Sequence, residues 1–396
     1  MHNKNSLSIL SDLIAFDTTS SQSNFEMLEY IEKYLQQHGV SCQWVRDPLL
    51  PKANLYASIG PDDQRAIMLS GHTDTVPTTG QNWHYPTHQL SLKDNRAYGR
   101  GTTDMKGFIA CVLAAVPKMC HADIKTPIAL AFSYDEEIGC IGVRHLLDQL
   151  SAQPIKPLAC IIGEPTSMKV AGSHKGKIAI KVTVKGKECH SGMAPLGVNA
   201  VNYAARLIVW LEQLAEKKRT QGPFDHDYEI PYSTVHTGTV EGGVALNIVP
   251  KIARFVFEIR NIAQEDSLQL VEQFEQYCQT LVDQMRIIDE QCDIQLETLT
   301  QYPGLASDHC DSQAAIQFVK QLAQEQESAS INFGTEAGLF SKHLGIPSVV
   351  CGPGSMEQGH KPDEFITLDQ LEHCDLFLSR LISALCEQDF TIAKKS

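Results

Sequence analysis

Ala66-Ile-Met-Leu-Ser-Gly-His72-Thr-Asp74 places a short apolar run directly before a histidine and an aspartate. The arrangement returns twice. Ile128-Ala-Leu-Ala-Phe132 leads into Ser-Tyr-Asp-Glu136-Glu137, and Leu158-Ala-Cys-Ile-Ile162 leads into Gly-Glu164-Pro165. Apolar runs of this length, set between helix-like stretches, predict buried strands of a mainly parallel sheet. Reactive groups gather beyond the carboxyl ends of such strands. Polar residues that repeatedly follow buried strands therefore predict one shared site.

Reading outward, Phe25, Leu28, Ile31 and Leu35 fall on one helical face, with Asn24 as cap and Gly39 as stop. Met105 to Met119 predicts a second helix after the turn Gly99-Arg-Gly101-Thr-Thr103, so Asp104 stands at a helix start. Aspartate is a favoured N-cap; capping and metal binding are both open to it. Near residue 175 the pattern changes. Lys177 to Lys185 alternates as a strand with one wet face. A helix from Asn199 to Leu214, strands at Ser233–Val240 and Ala253–Ile259, a helix from Asp266 to Val282 and a strand at Asp293–Thr298 follow. This is the β-α-β-β-α-β, ferredoxin-like order. The first pattern resumes with a helix at Ser312–Gln326 and the apolar strand Ser348-Val-Val-Cys351. The expected architecture is an α/β catalytic domain with a mixed, mainly parallel sheet, 1–174 and 300–396, interrupted by a smaller ferredoxin-like α+β domain at 175–299.

The formal net charge of −14 argues against a nucleic-acid partner, which needs a concentrated basic face. No apolar run reaches the ~18 residues of a membrane helix, and the N-terminus lacks the apolar core of a secretory signal. The 12 cysteines are scattered without a C-x-x-C pair, which favours free thiols in a reducing cytosol.

His72, Asp104, Glu137, Glu164 and His360 are candidate ligands, with Glu136 a candidate base. Imidazoles and carboxylates without a thiolate suit zinc or a similar divalent ion. His72 and Asp74, two apart in extended backbone, point the same way. Asp74 can then receive the proton on the second ring nitrogen of His72 and fix the ring; a plain His–Asp pair in a loop is the other reading. Glu136 and Glu137 repel unless a cation or solvent screens them, so the pair is either a ligand beside a base or a solvated acidic turn. His360 lies in the glycine-rich stretch Gly352 to Glu364, where functional groups are favoured. With Asp104 bridging, the set supplies two further ligands per metal, the inventory of a two-metal hydrolase. There is no G-x-S-x-G elbow, H-E-x-x-H helix or Walker A sequence. Cys189-His190 places a thiol beside an imidazole, but catalytic dyads are assembled in space, not between neighbours.

The blocks Ser70-Gly-His-Thr-Asp-Thr-Val-Pro77, Gly99-Arg-Gly-Thr-Thr-Asp-Met-Lys-Gly107, Asp135-Glu-Glu-Ile-Gly139, Gly163-Glu-Pro165 and His190-Ser-Gly192, together with the His360 loop, resemble the M20 family of metallopeptidases and deacylases over nearly the whole chain. Cys189-His-Ser-Gly-Met-Ala-Pro195, Thr234-Val-His-Thr-Gly238, Gly242 to Pro250, Gly352-Pro-Gly-Ser355 and His360-Lys-Pro-Asp-Glu364 are similar to the branch that deacetylates N2-acetyl-L-ornithine in arginine biosynthesis. Desuccinylases of the family resemble Ser-Asp-Gly-Arg where this chain has Thr335-Glu-Ala-Gly-Leu339, so the arginine that would grip a further carboxylate is replaced by Leu339.

The resemblance implies two divalent ions, zinc with cobalt able to substitute. His72 and Glu164 would hold one and Glu137 and His360 the other, with Asp104 between them. It implies a cis peptide after Asp104 and Glu136 as general base. His190 on the inserted domain would stabilise the oxyanion in a partner subunit, and Asn247 and Arg260 would bind the carboxylate of a small N-acyl amino acid. The inserted domain would form a homodimer and act as a lid. Glu336 is a candidate for meeting the ammonium of ornithine, or else a structural acid in a loop. Other activities of the family (N-acyl amino acid deacylase, desuccinylase, carboxypeptidase) are the alternatives, followed by a metal-dependent binding protein without turnover.

Overall fold

The structure, a computed structural model, describes residues 4–307, 310–387 and 392. Two compact units emerge. The first comprises residues up to Ser173, Leu305–Ser330 and the chain from Thr335 onward; the second is His174–Gly304 with the short return Ile331–Gly334. The expected insertion, 175–299, therefore stops short of its last residues and omits the return.

In the first unit an eight-stranded sheet runs in the order Cys42–Arg46, Ala53–Ile59, Ile128–Ser133, Ile67–His72, Ala159–Pro165, Ser348–Gly352, Val170–His174, Ser328–Ile331. Its middle is parallel: Ile67–His72 pairs in parallel with both Ile128–Ser133 and Ala159–Pro165, and Ser348–Gly352 with Ala159–Pro165. Toward the edges the pairing turns antiparallel, so the sheet is mixed, with its parallel pairs at the centre. The three central runs that end in His72, Ser133 and Pro165 are buried along their whole length, which is why they read as unbroken apolar sequence.

The helix Lys106–His121 packs on this sheet through Phe108, Ile109, Val112, Leu113 and Val116, all buried. Gly163 is required by that packing, because a Cβ there would lie 2.0 Å from the Phe108 ring. The helix is capped by Met105 without a side-chain bond, so Asp104 is not a cap and its carboxylate is free for other partners. Asn24 also departs from expectation. It precedes the helix Phe25–Gln37 but makes no capping bond; its amide joins Ala53 and the Thr73 hydroxyl instead. A small antiparallel sheet, Phe365–Thr367, Arg96–Tyr98 and Ser91–Lys93, sets the segment after Tyr98 beside the segment before Phe365.

The second unit has the strand order Thr234–Gly242, Ile252–Arg260, Lys177–Lys185, Asp293–Tyr302, all antiparallel. Helices Ala200–Gln221 and Ser267–Arg286 supply Leu207, Leu211, Phe274 and Leu281 to a core that Ile178, Ile180, Val182 and Val184 complete. The alternation read in the sequence is thus the inward face of the central strand, and the element order is the ferredoxin-like one. Both helices run a turn or more beyond their expected ends.

Among the described residues no helix is long and apolar enough to cross a membrane, and the 11 cysteines whose side chains are described form no disulfide. His174 is fully buried, and burial pushes its pKa down to about 4. Its unfolded value is higher, so the unfolded chain binds more protons between the two. Stability is therefore lost as pH falls from about 6.5 to about 4, by up to about 3 kcal/mol. Urea unfolding across that range should show the slope, and His174→Gln should flatten it; an unchanged slope in the variant would refute the assignment.

Candidate metal centre

The sheet delivers its polar residues as the strand pattern predicts. His72 ends one central strand, Glu136 and Glu137 follow the next, and Glu164 is the penultimate residue of the third. Asp104 arrives from the turn before the helix Lys106–His121, across a cis peptide to Met105. His360 arrives from the loop after Ser348–Gly352, with a left-handed φ of 61°.

Asp104 stands between two groups. Its Oδ1 lies 3.0 Å from His72 Nε2, and His72 Nε2 is 3.7 Å from Glu164 Oε1. Its Oδ2 lies 3.1 Å from His360 Nε2, which is 3.0 Å from Glu137 Oε2. Ligand atoms of His72, Asp104 and Glu137 fall within 4.8 Å of one another, as do those of His72, Glu136 and Glu164. Each oxygen of Asp104 thus faces a different histidine–carboxylate pair. The separate ligand sets expected from the sequence meet in space, with Asp104 shared and Glu136 alongside.

Among the described residues no lysine or arginine pairs with Asp104, Glu136, Glu137 or Glu164. Burial, with the neighbouring Asp104 charge, raises the carboxyl pKa of Glu164 well above the usual range and that of Glu137 to about 7. Burial raises Glu136 strongly as well, opposed by His72 and reinforced by Glu137. Burial alone would lower His72; its bonds to Asp104 and Asp74 outweigh that and raise it. Bonds to Asp104 and Glu137 raise His360 to about 10. Protonated imidazoles would supply part of the positive charge that so many buried carboxylates require. Two divalent ions fit the same donors better, because each would meet one imidazole nitrogen and carboxylate oxygens at once.

The supporting contacts revise one expectation. His72 Nδ1 donates to the backbone carbonyl of Asp74 at 2.9 Å, while the Asp74 carboxylate lies farther off at 3.5 Å. That carboxylate is engaged elsewhere. It accepts from Ser20 Oγ at 2.7 Å and from the amides of Glu136 and Glu137 at 3.1 and 3.3 Å. Asp74 therefore holds His72 through its backbone and the Glu136–Glu137 turn through its side chain. Ser20, and the buried pair Lys52–Asp135 at 2.5 Å, were not singled out in the sequence. Nothing in the local pattern marks them, since their contacts span tens of residues.

Glu336 is almost fully buried at the start of the helix Ala337–Leu344. Its carboxyl faces Ser133 and Ser70, and burial raises its pKa to about 7. Glu336 thus lies buried beside the strand ends, close enough to His72 and Asp74 for their charges to act on it.

Within the second unit His190 is exposed and its Nδ1 accepts the Gly192 amide at 3.1 Å. That bond puts the ring proton on Nε2, leaving a donor directed away from its own turn. Asn247 is its neighbour, accepting the Ser191 amide at 3.0 Å. Arg260 lies at the far end of the strand that begins at Ile252, roughly 25 Å away at ~3.3 Å per residue. It pairs with Glu258 at 2.9 Å. Asn247 and Arg260 cannot grip one carboxylate from the same inserted unit.

Residues 68–384 match the profile of Peptidase family M20/M25/M40. The chain belongs to that family. As an M20 protein it is a metal-dependent amide hydrolase, and divalent ions are part of its chemistry. It is 33% identical to the acetylornithine deacetylase of Pasteurella multocida, covering 96% of this chain and 98% of that protein. It is 31% identical to that of Myxococcus xanthus, covering 95% and 96%. The M20 fold is shared with a metallo-carboxypeptidase from Sulfolobus solfataricus, with a TM-score of 0.77, 17% identity and coverage of 97% and 99%. A dinuclear metal-binding M20 peptidase from Bacillus subtilis also shares it, with a TM-score of 0.62, 16% identity and coverage of 95% and 96%.

Proposed function

We propose that this chain removes the acetyl group from N2-acetyl-L-ornithine, giving L-ornithine and acetate, a step of arginine biosynthesis. The observation that carries the chemistry is Asp104, whose two oxygens face separate histidine–carboxylate pairs with Glu136 beside them. The substrate is supported by relatives that carry that activity in their names and match this chain nearly end to end.

His72, Glu164 and Asp104 would hold one ion and Glu137, His360 and Asp104 the other, zinc being favoured by the imidazole–carboxylate set and cobalt able to replace it. Ions held there would acidify a water and polarise the amide carbonyl. Glu136 would take the proton of that water and hand it to the leaving amine. His190 Nε2–H would donate to the developing negative charge, a contact whose loss typically costs about 100-fold or more. Its separation from Arg260 supports a homodimer in which His190 and Asn247 serve the partner's site while Arg260 serves another. Exposed Val240, Val244, Leu246 and Ile248 on the same unit support that pairing. The buried free thiols support a reducing, cytosolic setting.

Ornithine release from N2-acetyl-L-ornithine by the metal-loaded protein tests the reading, run beside N-succinyl-diaminopimelate. Rapid release of ornithine alone is expected. Activity on the succinyl compound alone would replace the acetyl assignment with a desuccinylase, and metal-replete protein inert toward both would remove it.

A further inference from the structure

We propose that Glu364 is a positioning residue that sets the spacing between Asp104 and His360, working through Arg100 and Gln81. The proposal rests on the reading of Asp104 and His360 as metal ligands.

Glu364 and Arg100 are each about 1% exposed and pair at 2.6 Å. A buried carboxylate is costly unless its lone pairs are used, and here both oxygens are. Glu364 Oε2 accepts from Arg100 and from the Gly101 amide at 3.1 Å. Oε1 accepts from the amides of Thr103 and Asp104 at 2.9 and 3.1 Å. Three backbone donors of the turn that presents Asp104 therefore converge on one side chain. Its own backbone carbonyl accepts the Gly99 amide at 3.0 Å, where the small sheet ends.

The other half of the circuit runs to His360. Arg100 lies over the Trp83 ring, 5.0 Å from its centre, and donates to Gln81 Oε1 at 2.7 Å. Gln81 Nε2 donates to the His360 carbonyl at 2.9 Å. That bond supports a residue held at positive φ without being glycine. One chain of contacts thus joins the amide of Asp104 to the carbonyl of His360. The two side chains meet 3.1 Å apart at the other end. The loop that carries His360 and the turn that carries Asp104 are irregular, so helix or strand hydrogen bonding cannot fix their separation; this carboxylate does.

The test is cobalt binding by full-length protein stripped with a chelator, followed by calorimetry and by visible absorption, which reports ligand geometry around cobalt. Glu364→Gln keeps the shape but removes the charge and one acceptor. It should weaken cobalt affinity by about 10- to 100-fold, the usual effect of losing a group that orients a ligand, and alter the absorption bands. Gln81→Leu leaves Glu364 intact and should shift the spectrum and weaken binding in the same direction. If Glu364→Gln fails to fold, Gln81→Leu decides alone. Wild-type affinity and spectrum in the folded variants overturn the proposal while the metal centre stands. Wild-type protein that binds no cobalt overturns the metal-centre reading and this proposal together.

Discussion

Replacing Glu136 with alanine is expected to lower turnover by about 100- to 10,000-fold, the range for losing a positioned general acid–base, with metal content unchanged. The expectation comes from where the side chain sits. Its oxygen lies within 4.8 Å of the ligand atoms of His72 and Glu164, yet it is absent from the contacts that join Asp104 to the two histidines. Its backbone is fixed by Asp74 through the Glu136 amide, so truncation beyond Cβ leaves the turn in place. Cys140 Sγ reaches Glu136 Oε1 at 3.4 Å and holds the carboxyl without neutralising it. Steady-state kinetics with metal analysis of the same sample provides the check. A fall in KM-linked binding with kcat preserved, or loss of metal along with activity, would show that Glu136 is a ligand or a substrate contact and not the base.

Asp104→Ala should be more damaging to the centre than any other single change. Asp104 is the only group that meets both histidines among the described residues, so its removal leaves two incomplete sets instead of one. Activity should fall beyond the ~100-fold that marks loss of a merely orienting group, and elemental analysis should find both ions depleted. By contrast, Glu164→Ala should deplete mainly the ion beside His72. Full metal content in Asp104→Ala would show that the two pairs fill independently and that Asp104 does not bridge.

Much of this centre was legible in the sequence, for a physical reason. His72 and Glu164 stand at the carboxyl ends of strands buried on both faces, and Glu136 and Glu137 follow another; such strands announce themselves as unbroken apolar runs. The inserted unit was legible from the alternation Lys177 to Lys185, because a half-wet strand has period two. Periodicity says nothing about where an irregular loop sends its side chains. Spacing left Asp104 open to capping as well as to metal binding, because aspartate before a helix is often a cap, yet Met105 occupies that position. Asp74 looked like the partner of His72 because the two stand two apart in extended backbone; its carboxylate lies 3.5 Å from the ring and also accepts from amides sixty residues on. Glu364 stood inside a recognisable motif with no role assigned, since its donors lie some 260 positions earlier. Arg260 and Asn247 were grouped by chemistry, and only the strand between them shows that they stand apart.

The contacts of the two histidines carry one more consequence. His72 has an acceptor on each ring nitrogen, the Asp74 carbonyl on one side and Asp104 on the other. His360 Nε2 lies between two carboxylates. Two acceptors can approach so closely only with a proton or a metal ion between them, so this centre offers the same lone pairs to both. Filling it is an exchange: each arriving cation evicts hydrogen ions from the same lone pairs. Acidity and metal supply then act as rivals for one set of atoms, and the enzyme's readiness to work becomes a readout of their ratio.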